Sequence, residues 1–158
     1  MFTLDAFDAA LQQFWTSIYA KVMAIVLCYW ATVHVANMVG LTGTPWLQTP
    51  LLWRGMDVAL LLFDMTAAIA LWRGLGWSVW LVFGGIILLQ FVPYTLLRSH
   101  FILKPEDAQV LNGLLGTEAI LLGIFALLLW LKRCPLLSGA IGLWHHPRRR
   151  SHSRASRD

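Results

Sequence analysis

The sequence predicts an all-α polytopic membrane protein: a four-transmembrane-helix bundle with an N-terminal interfacial helix and a disordered, basic C-terminal tail. Three observations predict it. Of 158 residues, 58% are hydrophobic and 13% charged, whereas a soluble domain carries about 25% charged residues. Water is therefore not the main solvent. Four apolar stretches each run for about the 20 residues that cross a hydrocarbon core as helix. Most of the nine tryptophans sit at the ends of these stretches, where indole rings favour the membrane–water boundary.

The elements follow in order. Leu4, Phe7, Leu11, Phe14, Trp15 and Ile18 form one helical stripe, flanked by Asp5, Asp8 and Gln12. This pattern suits a helix lying in the interface over residues 1–16, continuing directly into the first span. The first charges are acidic and the first Lys is Lys21, unlike a cleaved signal peptide, so this segment is expected to stay in the mature chain. The transmembrane domain covers residues 17–133, its first span about 17–39. Gly40, Gly43, Pro45 and Pro50 mark a loop, and the second span covers about 51–72. Arg73-Gly74-Leu75-Gly76 is a tight turn that makes the third span, about 77–97, an antiparallel neighbour of the second. Pro93 is expected to kink it. Residues 98–109 read as a polar loop in which Pro105-Glu106-Asp107 starts a helix. The fourth span, about 110–131, is closed by Lys132 and Arg133. Pro135, Gly139 and Gly142 make residues 136–144 too broken to span, so residues 134–158 are assigned as a surface segment and tail.

Charge sets the expected orientation. One side holds Lys21, Arg73, Lys132, Arg133, Arg148, Arg149, Arg150, Arg154 and Arg157; the other holds Arg54, Arg98 and Lys104. That asymmetry places both termini in the cytoplasm. A bacterial inner membrane is the default location for so short a chain. The tail arginines, each worth about 1 kcal/mol near an anionic surface, are expected to hold the C-terminus on acidic headgroups. No base-reading motif accompanies them, so nucleic acid is not an expected partner. Cys28 and Cys134 fall at different depths, which argues against a disulfide between them.

Polar side chains inside a bilayer are costly and mark where function is sought. His34 and Asn37 share a face near the outer end of span one. Asp57 and Asp64 lie seven apart on one face of span two, Gln90 and Tyr94 four apart on span three, and Asn112 and Glu118 in the outer half of span four. All four spans thus put polar groups at similar depth on the non-cytoplasmic side. An ionised carboxylate at a helix centre costs about 2.5–3.5 kcal/mol, so these acids are expected to face inward and find partners, or take up a proton. A pocket opening outward is predicted, lined by His34, Asn37, Asp57, Asp64, Gln90, Tyr94 and Glu118. The competing reading is structural: such groups hydrogen-bond across helices and hold bundles together, with Arg54 pairing Asp57 along one helix. Gly84, Gly85, Gly113, Gly116 and Gly123 read as sites of close helix packing.

The chemistry of such a pocket suits a quinone or lipid, because ligand sites of this kind are mostly apolar with a few fixed polar groups. No paired metal-ligand spacing such as HxxxH or ExxH is present, so no metal site is predicted. His34 and His100 are the candidates for a bis-histidine haem. No phosphate loop, nucleophile elbow or other catalytic motif is present, and no cofactor is named by the sequence. Proton transfer through Asp64 and Glu118 is the route by which the chain would act as an enzyme or proton-coupled transporter.

The layout of residues 17–131, with an acidic residue early in span two at Asp57 and the turn Arg73-Gly74-Leu75-Gly76, resembles the DoxX-like small membrane proteins. The resemblance implies a link to quinone-coupled redox chemistry. The expected function is binding of a lipophilic ligand, or service as an accessory subunit of a membrane complex with membrane-protein partners or further copies of itself.

Overall fold

The computed structural model of the chain describes residues 4–42, 45–102 and 104–131. The expectations for Lys132, Arg133, Cys134, the segment 136–144 and the five tail arginines lie outside the described residues. Regular structure among the described residues is entirely helical: α1 Leu4–Leu11, α2 Phe14–Met38, α3 Leu51–Trp72, α4 Trp77–Ile86, α5 Val92–Leu96, α6 Arg98–Phe101 and α7 Pro105–Leu131. A 3-10 turn covers Trp46–Gln48, and a π turn, Ile87–Phe91, joins α4 to α5. Four helical stretches are long and apolar enough to cross a membrane: Phe14–Met38, Leu51–Trp72, Trp77–Leu96 and Pro105–Leu131.

Local chemistry ends the long helices where the sequence turns. At the end of α2, Gly40 adopts φ +76°; its N–H bonds Asn37 O and the Leu41 N–H bonds Ala36 O. At the end of α3, Gly74 adopts φ +67°, with Gly74 N–H on Leu71 O and Leu75 N–H on Ala70 O. Both are Schellman closures, which need a left-handed residue that glycine supplies without a Cβ clash. At the start of α7, the Asp107 carboxylate accepts from the Lys104 N–H at 2.7 Å, one half of a capping box.

The third span departs from a simple proline kink. Pro93 has no N–H, and its ring crowds the carbonyl of Leu89 four residues back. The helix relieves this by widening into the π turn Ile87–Phe91, which carries Gln90. The predicted polar loop over 98–109 is also corrected: α6 occupies Arg98–Phe101, and α7 already begins at Pro105. Phe101 is fully buried, its ring edge-on to Trp53 and to Tyr94 at 4.9 Å between centroids in each case. An aromatic anchor of this size drives α6 onto the bundle despite its polar neighbours.

The N-terminal stripe does not run straight into the first span. Helix α1 ends at Leu11 and α2 restarts at Phe14. Phe7, Ala10 and Leu11 are buried, and the Phe7 ring meets Trp80 edge-on. Asp8 accepts a hydrogen bond from the Gly76 N–H, placing a carboxylate at the positive N-terminal end of α4. The helix read as interfacial is thereby strapped to the end of the third span.

The main core joins Met23 and Leu27 of α2, Leu60, Phe63 and Leu71 of α3, Val82 and Ile86 of α4, and Leu122 and Phe125 of α7. Gly85 has a structural duty there: a Cβ at that position would overlap the Phe63 ring, so only glycine lets α4 approach α3 this closely. The glycines of α7 have no such duty among the described residues, since a Cβ at Gly113, Gly116 or Gly123 would meet nothing within 4 Å. The same holds for Gly84. The tryptophans Trp15, Trp72, Trp77 and Trp130 are exposed at the end of the bundle where α2 and α4 start and α3 and α7 finish.

Candidate functional site

The site lies toward the opposite end, where α2 finishes and α3 starts. Helices α2 and α3 are antiparallel partners, which brings His34 and Asn37 over Asp57. The His34 Nδ1–H donates to Asp57 Oδ1 at 2.8 Å, since an ionised carboxylate only accepts. Asn37 Nδ2 donates to the same oxygen at 3.1 Å. One turn pair deeper, His34 Nε2 stands 3.7 Å from Asp64 Oδ2, and Asp64 is only 2% exposed. The imidazole therefore sits between two carboxylates of one helix face. Residues seven apart on α3 complete almost two full turns, which is why one His reaches both.

The third and fourth spans close the ring. Ile86, Gln90 and Tyr94 all line a cavity of about 210 Å³ together with His34, Asn37, Asp57, Asp64 and Glu118. In a regular helix, side chains four apart drift by about 40°, so these three would spread about 80° around the axis. The wide turn Ile87–Phe91 rotates less per residue and keeps all three on the wall. The rest of the lining is apolar or aromatic, with Met23, Leu27, Trp30, Trp53, Met56, Leu60 and Leu114 among it. All seven residues singled out in the sequence thus meet at one cavity.

Their bonding divides them. Asp57 is satisfied twice over by His34 and Asn37, which fits a clamp between α2 and α3. Glu118 is different: it is 7% exposed, and its Oε2 is buried without a hydrogen-bond partner among the described residues. The Trp53 indole Nε1, on the same cavity's wall, is likewise buried and unpartnered. Buried polar atoms usually find partners; Trp46 Nε1, Arg54 Nε and Ser78 Oγ share this state away from the cavity, so Glu118 Oε2 and Trp53 Nε1 are set apart by lining it.

Several sequence expectations are corrected here. Arg54 does not pair with Asp57; its guanidinium lies over the Trp46 ring at 5.7 Å, a cation–π placement. Asn112, at the same depth as Glu118 by the sequence argument, is exposed and accepts from Arg98 at 2.9 Å outside the cavity. A bis-histidine haem from His34 and His100 does not fit these residues. Both His34 nitrogens face carboxylates, and His100 is exposed on α6 beside Ser99. Among the described residues no group of three His, Cys, Asp or Glu is arranged to hold a metal ion. Sequence reasoning missed the contributions of Trp30, Trp53 and Met56; their only signal was helical spacing with His34 and Asp57.

The chain matches no protein-family model, no curated protein and no solved structure. The likeness to DoxX-like proteins accordingly rests on layout alone.

Proposed function

We propose that this is an integral membrane protein that binds the polar head of a lipophilic molecule, a quinone or a lipid, in the cavity between α2, α3, the third span and α7. The observation that carries this reading is the convergence of seven polar side chains from four helices on one cavity with otherwise apolar walls, the composition of small-ligand sites in general. At about 210 Å³ the cavity is smaller than sites that enclose whole drug-sized ligands. It suits a head group whose tail stays among the acyl chains. Both termini are assigned to the cytoplasmic side, supported by nine Lys and Arg on one side against three on the other, and a bacterial inner membrane is the default location for so short a chain. The tail arginines Arg148, Arg149, Arg150, Arg154 and Arg157 are assigned to anionic headgroups.

The test is a binding measurement in lipid nanodiscs, read by isothermal titration calorimetry. Leu114→Trp, which fills the cavity from α7, is expected to abolish binding of a short-chain quinone or a lipid while leaving the protein folded. Binding unaffected by that substitution places the ligand elsewhere. A second reading is a membrane enzyme or proton-coupled transporter acting through Asp64 and Glu118. It is favoured by the His34 imidazole lying between Asp57 and Asp64, since chains of acids and histidines relay protons across membranes. Proteoliposome pH measurements on Asp64→Asn separate the two: loss of ligand-driven proton movement with binding intact identifies transport. Service as an accessory subunit is supported by the exposed face of α7, only 11% of whose most apolar window is buried. Native mass spectrometry from mild detergent tests it through the partners retained.

A further inference from the structure

The ligand reading leaves open what kind of head group enters, and the cavity's unmet bonds and charge narrow it. Three carboxylates line the wall, Asp57, Asp64 and Glu118, against the single imidazole of His34. Among the described residues no Lys or Arg lines it. Asp57 Oδ1 already accepts two donors, whereas Glu118 Oε2 accepts none among the described residues. A carboxylate oxygen takes only donors. The terminal torsion of Glu is broad, so a small rotation presents Oε2 to an occupant of the cavity. Trp30, Trp53 and Tyr94 line the same cavity, and aromatic rings attract cations.

Resting on the cavity reading above, we propose that the head group taken here is a protonated primary amine, held by Glu118. An oxidised quinone offers carbonyl acceptors and leaves Glu118 unpaired. An anionic head meets three carboxylates. A quaternary ammonium has the charge but no N–H to donate. An ammonium with N–H donors satisfies Glu118 in its ionised form, a form that the bound cation itself favours, and suits the aromatic side chains of the wall. The tail of such an amphiphile stays in the bilayer, as the size of the cavity requires. The ammonium has two sources, the head of an amine-bearing lipid or a free amphiphilic amine.

The full-length protein in phosphatidylcholine nanodiscs, which contain no primary amine, tests this by tryptophan fluorescence titration. Hexylammonium is expected to bind, with 1-hexanol and hexyltrimethylammonium each at least about tenfold weaker, the difference a charge-assisted hydrogen bond makes. Glu118→Gln is expected to erase the preference, Glu118→Asp to keep part of it, and the exposed control Thr117→Ala to keep all of it, each variant checked for folding by thermal unfolding. Adding phosphatidylethanolamine to the disc assigns the source: displacement of hexylammonium identifies a lipid head, and undisturbed binding a free amine. Equal affinity for hexanol, or an unchanged preference in a folded Glu118→Gln, overturns the proposal. If a short-chain quinone binds in a manner blocked by Leu114→Trp while hexylammonium does not bind, the amine is overturned and the cavity reading stands. No binding by any probe overturns both.

Discussion

Two hollows of the bundle differ in character. One, about 810 Å³, lies between α1, α4 and α7 and is walled by Phe7, Ala10, Val79, Trp80, Phe83 and Trp130 among others. The other, about 210 Å³, holds His34, Asp57, Asp64 and Glu118. In water the larger would draw attention first. In a bilayer the ranking reverses. Acyl chains are as apolar as leucine, so an apolar hollow fills with lipid tails at little cost and needs no purpose. A polar hollow is kept only against the expense of burying its groups. Size therefore says less about function here than the difficulty of retaining the lining.

Four substitutions break or sharpen that contrast. The largest effect is expected at the joint beside the polar cavity. Gly85→Ala forces Phe63 aside and should destabilise the bundle by about 3 kcal/mol, the upper end for overpacking; Phe63→Leu in the same chain should restore most of it. Unfolding in mixed micelles measures both, and an unaffected Gly85→Ala would mean α4 can withdraw from α3 freely. Next, Asp57→Ala removes the shared acceptor of His34 and Asn37. It should cost about 2 kcal/mol, because two half-buried donors lose their shared partner.

Glu118→Leu should move the other way. Replacing an unpaired buried carboxylate with an apolar side chain is expected to stabilise by about 1 kcal/mol while ligand binding is lost. This opposition of sign between Asp57 and Glu118 separates the clamp from the binding group; a destabilised Glu118→Leu would return Glu118 to the fold. The smallest effect is expected in the apolar hollow. Ala9→Leu should change stability by less than about 0.5 kcal/mol, since it exchanges lipid methylenes for protein ones. A shift beyond 1 kcal/mol would show that this hollow, too, is specified.

Much of this was legible in the residues. Hydropathy located the four helices, because a bilayer permits few alternatives to an apolar helix of that length. The depth argument singled out His34, Asn37, Asp57, Asp64, Gln90, Tyr94 and Glu118 because cost of burial depends on depth and residue type alone. What escaped was decided by tertiary geometry. The break between Leu11 and Phe14 follows from Asp8 reaching Gly76, 68 residues away. The burial of Phe101 inside a polar-looking stretch depends on Trp53 and Tyr94 lying where they do. Arg54 had two partners within reach, and spacing along one helix could not reveal that Trp46 would take it. The glycines of α7 carry the composition of a packing face, yet none of the described residues packs there.

The wide turn at Ile87–Phe91 sets the angular phase of everything that follows it in the third span. Removing one residue from it would return the segment to ordinary helical winding, yet from Ile86 to Tyr94 seven ordinary steps of about 100° turn the chain nearly as far as the eight present ones, which rotate less in the wide turn, so Tyr94 and Phe101 would keep their direction. A single-residue deletion is therefore absorbed at this turn, whereas one in the ordinary helix between it and Tyr94 would swing Tyr94 by about 100° and take it off the cavity wall.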